Sequence, residues 1–107
     1  METPLEIYRR HLADLPACDA AFFAEALARF RAGDESAARD ISARCLGLAL
    51  RLGEERAREL GSVEALEVVQ EANRGLWEAI TTFPGNDLEE FLLYAQERMQ
   101  QRLAVLA

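Results

Sequence analysis

Lysine is absent from the chain, and all twelve of its basic residues are arginine. Nineteen acids outnumber them, for a net charge of −7. A balance of that sign argues against non-specific nucleic-acid binding, which depends on neutralising phosphates. Proline and glycine are scarce, three and six in 107 residues, and valine, isoleucine and threonine are few beside alanine, leucine, glutamate and arginine. Helix is therefore favoured over strand at nearly every window. No apolar run reaches the roughly 20 residues needed to span a bilayer, and no basic-then-apolar secretion signal opens the chain. The expectation is a soluble, cytoplasmic domain with no membrane contact.

The chemistry of catalysis is missing as well. Cys18 and Cys45 lie far apart in the sequence and form no CxxC pair, so reduced, buried thiols are expected rather than a disulfide or a zinc site. The one histidine, His11, follows two arginines and reads as a solvated surface residue. No nucleophile–base pair and no metal-ligand spacing can be assembled, so no catalytic residue, metal or cofactor is expected, and the chain does not read as an enzyme. Glu54, Glu55 and Glu59 read as the solvated face of a helix.

What the chain does have is apolar residues, half of its total, at helical spacing. Thr3, Pro4 and Glu6 form an opening capping box for a helix that ends near Leu15, before Pro16. Asp19 caps a second helix carrying Phe22, Phe23, Leu27 and Phe30, which Gly33 closes. Asp34 caps a third, with Ala38, Ile41, Cys45, Leu48 and Leu52 on one face, running to Leu60 and stopping at Gly61. Gly47 and Gly53 inside it mark either close helix packing or a local break. Ser62 caps a fourth helix that ends at Phe83, and Asp87 with Glu90 makes a capping box for a fifth. The fold class is all-α, a compact bundle of about five helices.

On a helical wheel at about 100° per residue, Leu66, Val69, Ala72, Leu76, Ala79, Ile80 and Phe83 form the apolar arc of the fourth helix. Glu67, Gln70, Glu71, Arg74 and Glu78 form the opposite arc, with Trp77 at the border beside Gln70 and Arg74. A tryptophan in that position either anchors a partner or covers the seam to a neighbouring helix. In the last helix Leu88, Phe91, Leu92, Ala95, Met99, Leu103 and Leu106 face inward, and Tyr94, Arg98, Gln101 and Val105 run outside. Tyr94 with Arg98 and Gln101 could stack on and hydrogen-bond an unpaired base, although an ordinary solvated face explains the same residues.

The segment Glu67-Val68-Val69-Gln70-Glu71-Ala72-Asn73-Arg74-Gly75-Leu76-Trp77-Glu78-Ala79-Ile80, ending at Phe83, resembles the motif DLIQEGNIGLxxAVxxF of region 2 in the sigma-70 family of bacterial transcription factors. Phe91-Leu92-Leu93-Tyr94-Ala95 and Met99-Gln100-Gln101 then resemble that family's FSTYAxxxIRQAI. Upstream, Arg31-Ala32-Gly33-Asp34-Glu35-Ser36-Ala37-Ala38-Arg39 is similar to its RAGDxxAR entry. The resemblance divides the chain into an N-terminal helix and linker over 1–18 and a region 2-like domain over 19–107. It implies docking on the clamp helices of the β′ subunit of core RNA polymerase through Glu67, Gln70, Glu71, Asn73 and Trp77. Asn73 lies at the edge of the apolar arc.

The resemblance also implies a part in transcription initiation or its regulation, with nucleic-acid contacts at Tyr94, Arg98 and Gln101, and it admits an anti-sigma factor as a further partner. Departures weaken the DNA side. Glu54 and Glu55 replace a basic pair, Glu97 and Arg98 stand where many members carry two tryptophans, and the residues stop at Ala107, near the start of the promoter-reading segment. Promoter DNA is therefore expected to bind only weakly, or within the polymerase complex. The alternative is a helical protein–protein interaction module, a homodimer or adaptor that keeps the sigma fold without polymerase or promoter binding.

Overall fold

The computed structural model of the protein describes residues 6, 7, 9, 10, 18–61 and 64–106. Among them run four helices, α1 (Ala20–Arg31), α2 (Glu35–Leu60), α3 (Ala65–Thr82) and α4 (Leu88–Ala104), and no strand. Among the described residues the count is thus four, against the about five expected for the chain. Of the first expected helix only Glu6, Ile7, Arg9 and Arg10 are described, and these are helical. Thr3, Pro4, His11, Leu15, Pro16 and the expected cap Ser62 lie outside the described residues.

Local chemistry explains most of the boundaries. The Phe22 N–H donates to Asp19 Oδ1 at 2.8 Å, the Ser36 N–H to Asp34 Oδ1 at 3.0 Å, and the Glu90 N–H to Asp87 Oδ2 at 3.0 Å. Each bond satisfies a donor that the first helical turn leaves without an intrahelical partner. Gly33 and Gly61, at φ 107° and 74°, turn the chain out of α1 and α2 in a region that side-chain-bearing residues rarely adopt. For α3 the cap position falls to Glu64, whose side chain makes no capping bond. That helix end depends on tertiary packing instead.

α3 lies between α2 and α4, and α1 packs along α2. The radius of gyration is 14.0 Å, close to the ~13 Å of a compact 100-residue chain. Phe23, Ile41, Val68, Leu76, Ile80, Phe91 and Met99 are fully buried, and no polar or charged residue is buried among the described ones. Each large side chain removed from water contributes about 1.5–3 kcal/mol. Because α3 has neighbours on two sides, its buried surface is wider than the single arc expected. Val68 and Gly75 are buried, whereas Leu66 is only half-buried.

Two glycines set how closely the helices approach. A Cβ at Gly53 would lie 2.7 Å from Val69 Cα, and one at Gly75 would lie 2.8 Å from Met99 Cα. Gly53 therefore marks close packing of α2 on α3, and Gly75 does the same for α3 on α4. Gly47 faces open space, and α2 runs through it unbroken.

Side chains then pin the connections. Arg31 Nη2 donates to the carbonyls of Phe83, at 3.0 Å, and Gly85, holding the α3–α4 turn. Arg56 donates to the carbonyls of Leu103 at 3.1 Å and Leu106 at 3.0 Å, closing the end of α4. Glu54, expected on a solvated face, is instead half-buried and paired with Arg9. Both cysteines are free; Cys45 is buried as expected, but Cys18 is only half-buried.

Candidate partner-binding face

With Val68, Val69, Ala72, Gly75, Leu76, Ala79 and Ile80 turned inward, the 3.6-residue repeat leaves a stripe at Glu67, Gln70, Arg74, Trp77 and Thr81, all exposed. Trp77 keeps 41% of its surface exposed, a large apolar area for a residue on a polar stripe. Gln70, Asn73, Arg74, Trp77, Glu78 and Thr81 line one open depression of about 530 Å³, with Ser42 of α2 and Arg102 of α4 at its borders. The indole thus reaches toward the α2 seam and still presents a free surface.

Asn73 lies on the flank of the stripe opposite Glu71, the flank nearer α2. It is half-buried, and its Oδ1 is buried with no hydrogen-bond partner, the sole such side-chain atom among the described residues. A buried acceptor left unmade costs about 1–3 kcal/mol.

Glu71 differs from its expected place on the outer arc. Its side chain is 17% exposed and bridges two arginines, Arg102 of α4 at 2.7 Å and Arg74 at 2.7 Å. Arg102 also donates to Glu78 Oε2 at 2.9 Å. Glu71 therefore ties α3 to α4 before it can meet any partner. Arg102, Glu78 and Ser42 were not singled out from the sequence as site residues. The only signal for the first two is the seven-residue spacing of Glu71 and Glu78 on one flank, because the pairing with Arg102 joins residues remote in the chain.

The hydrogen bond from Arg102, with a second from Arg74, holds the Glu71 carboxyl below its ordinary value. A depressed folded-state value means that the pair stabilises the protein above the unfolded carboxylate value, about 4.3. That contribution is lost as pH falls through the lower folded value. Glu71→Gln is expected to cost about 1 kcal/mol at pH 7. The difference from wild type should shrink as pH falls through the lowered folded value, as urea midpoints followed from pH 7 into acid will register.

The expected nucleic-acid residues are mostly engaged within the fold. Tyr94 is half-buried; its ring packs 5.4 Å from Phe83, and its hydroxyl lies 2.8 Å from Thr82 Oγ1. Arg98 donates to the Tyr94 hydroxyl at 3.0 Å and lies 5.0 Å from its ring centroid. A base could stack there only by displacing Arg98. Gln101 is exposed. Arg74, Arg98 and Arg102, the three cations from residue 63 onward, all contact Glu71 or Glu78. Metal-binding groupings of three or more His, Cys, Asp or Glu are absent among the described residues, and no described helix is long and apolar enough to cross a membrane. No protein-family model matches the chain, and neither a curated protein nor a solved structure matches it significantly.

Proposed function

We propose that this is a non-enzymatic, sigma-like domain that docks on the β′ clamp helices of core RNA polymerase through the Glu67–Trp77 face of α3, in transcription initiation or its regulation. The observation that carries this reading is Trp77, 41% exposed in one open depression with Gln70, Asn73 and Arg74. Truncating a tryptophan anchor at a protein interface typically costs about 2 kcal/mol or more. The motif that resembles the family's polymerase-binding helix runs through these same residues. Glu67 and Gln70 extend the surface along α3, and Glu71 holds it against α4.

The test is a titration of purified core polymerase with the protein, followed by transcription from a defined promoter. Binding with initiation supports an initiation factor, and binding without it supports a regulator occupying the clamp. Absence of binding removes the proposal.

Charge limits the contact with DNA. From residue 63 onward three arginines face eight acids, and the salt bridges described above engage all three. Stacking on Tyr94 would contribute about 1–3 kcal/mol per base, less the cost of moving Arg98. The free protein is expected to have no measurable affinity for duplex DNA at physiological salt. A preference for a single strand should arise only when polymerase supplies the positive channel. Fluorescence anisotropy with labelled single-stranded and duplex oligonucleotides checks this, and micromolar binding to either by the free protein contradicts it.

One observation favours a second reading, the homodimer or adaptor. Leu93 is 71% exposed and lines an apolar depression with Gly47, Leu48 and Leu92. Light scattering with and without a clamp-helix fragment separates the two. A dimer indifferent to the fragment favours the module.

A further inference from the structure

The depression between α2 and α4 shares no residue with the Trp77 face. Gly47, Leu48 and Arg51 of α2 and Leu92, Leu93 and Gln96 of α4 line its volume of about 430 Å³. Gly53 meets Val69 while Ser42 borders Trp77, so α2 and α3 run antiparallel. Glu71 bonds Arg102 while Thr82 meets Tyr94, so α3 and α4 are antiparallel too. α2 and α4 therefore run parallel across the depression. Gly47 and Leu48 stand opposite Leu92 and Leu93, and one turn further Arg51 stands opposite Gln96.

Three features of this face serve no contact within the chain. Leu93 is 71% exposed at its centre. A Cβ at Gly47 would meet nothing within 4 Å, so internal packing does not call for a glycine that weakens the helix. Arg51 on the α2 side and Glu89 and Glu97 on the α4 side are exposed, and their side chains have no ion pair or hydrogen bond among the described residues. The two sides thus carry opposite free charge. On α4 the cations Arg98 and Arg102 are engaged with Glu78 and Glu71. On α2 Glu55 lies beyond the depression, in the next one, with Gln100. We propose that this face is the contact of a homodimer whose two-fold axis runs along the α2–α4 seam. The proposal rests on the second reading above, a contact between chains at Leu93, and needs nothing from the polymerase reading.

Charge selects both the partner and the axis. Because the two helices are parallel, an axis along the seam lays α2 of each copy on α4 of the other at the same level. Leu93 of each copy then seats on Gly47 and Leu48 of the other, where the absent side chain leaves room. Arg51 of each copy meets Glu97 of the other, so the pair occurs twice, as an isologous contact requires. An axis across the seam would lay α4 on α4 and set free acids against each other, a juxtaposition that disfavours association. Leucines at the centre with charges at the rim match the usual anatomy of an interface. The rim pairs fix orientation, and the affinity comes from covering Leu93.

Sedimentation velocity of the full chain across the micromolar range tests this, with circular dichroism to check that each variant folds. The wild type is expected to form a reversible dimer. Leu93→Glu should weaken it at least about tenfold. Gly47→Gln should weaken it by filling the seat, while the better helix former keeps the monomer at least as stable. Arg51→Glu and Glu97→Arg each set like charges together and should each weaken the dimer. Mixed in equal amounts, those two variants should regain a dimer of wild-type strength, because both rim pairs are then of opposite sign. A wild type that stays monomeric at every concentration overturns this contact and the homodimer reading with it. A dimer indifferent to Leu93→Glu, or charge variants that do not recover on mixing, overturns the α2–α4 contact alone and moves the homodimer to another face.

Discussion

Gly53→Ala and Gly75→Ala should each destabilise the protein by about 2–3 kcal/mol, whereas Gly47→Ala should stabilise it by up to about 1 kcal/mol. Helix propensity alone predicts a gain at all three positions, because alanine is the better helix former by about 0.8–1 kcal/mol. Sterics reverse the sign at two of them. The new methyl would meet Val69 Cα at 2.7 Å from position 53 and Met99 Cα at 2.8 Å from position 75. These are backbone atoms, so a rotamer change cannot relieve the clash and the helices must part. Nothing lies within 4 Å of the corresponding position at Gly47, and propensity decides there.

The two contacts belong to different interfaces, α2–α3 and α3–α4, so their effects should nearly add. A loss of about 4–6 kcal/mol is most of the stability of a marginal domain, typically 5–15 kcal/mol in total. The double variant should therefore be largely unfolded at room temperature. Urea midpoints of the single variants test the signs, and a stabilised Gly53→Ala or Gly75→Ala would contradict the close approach.

The same contrast between local and non-local causes accounts for what could be read in the sequence. Asp19, Asp34 and Asp87 cap their helices as expected, because a carboxylate at a helix start bonds a backbone donor two or three residues on. Glu67, Gln70 and Trp77 were legible as outward-facing for a similar reason, since their places follow from the period of one helix. Val68 was missed because α3 is covered on two sides, which a single-face pattern does not encode. Glu71 was placed with the free outer residues, yet its partner Arg102 comes from another helix. Tyr94 was expected outside, but its ring is taken up by Phe83 and Arg98, contacts that exist only once α3 has turned into α4. The unpartnered Asn73 acceptor likewise depends on helix packing.

Replacing Trp77 and Gln70 together by alanine should weaken binding to the β′ clamp helices by more than about 2 kcal/mol, roughly 30-fold in Kd. Both side chains are exposed and neither belongs to the core cluster, so helicity and the urea midpoint should change little. Asn73→Ala separates the stripe from its flank. Asn73 carries a buried acceptor with no partner, and removing it relieves a penalty that offsets much of the lost packing, so stability should stay nearly level. Titration of each folded variant against a clamp-helix fragment, followed by anisotropy, gives the affinities, and circular dichroism monitors the fold. Unchanged affinity in the folded Trp77→Ala, Gln70→Ala variant would remove the docking proposal. Loss of helicity would instead assign the indole to the seam between α2 and α3, and binding would then have to be sought on another face.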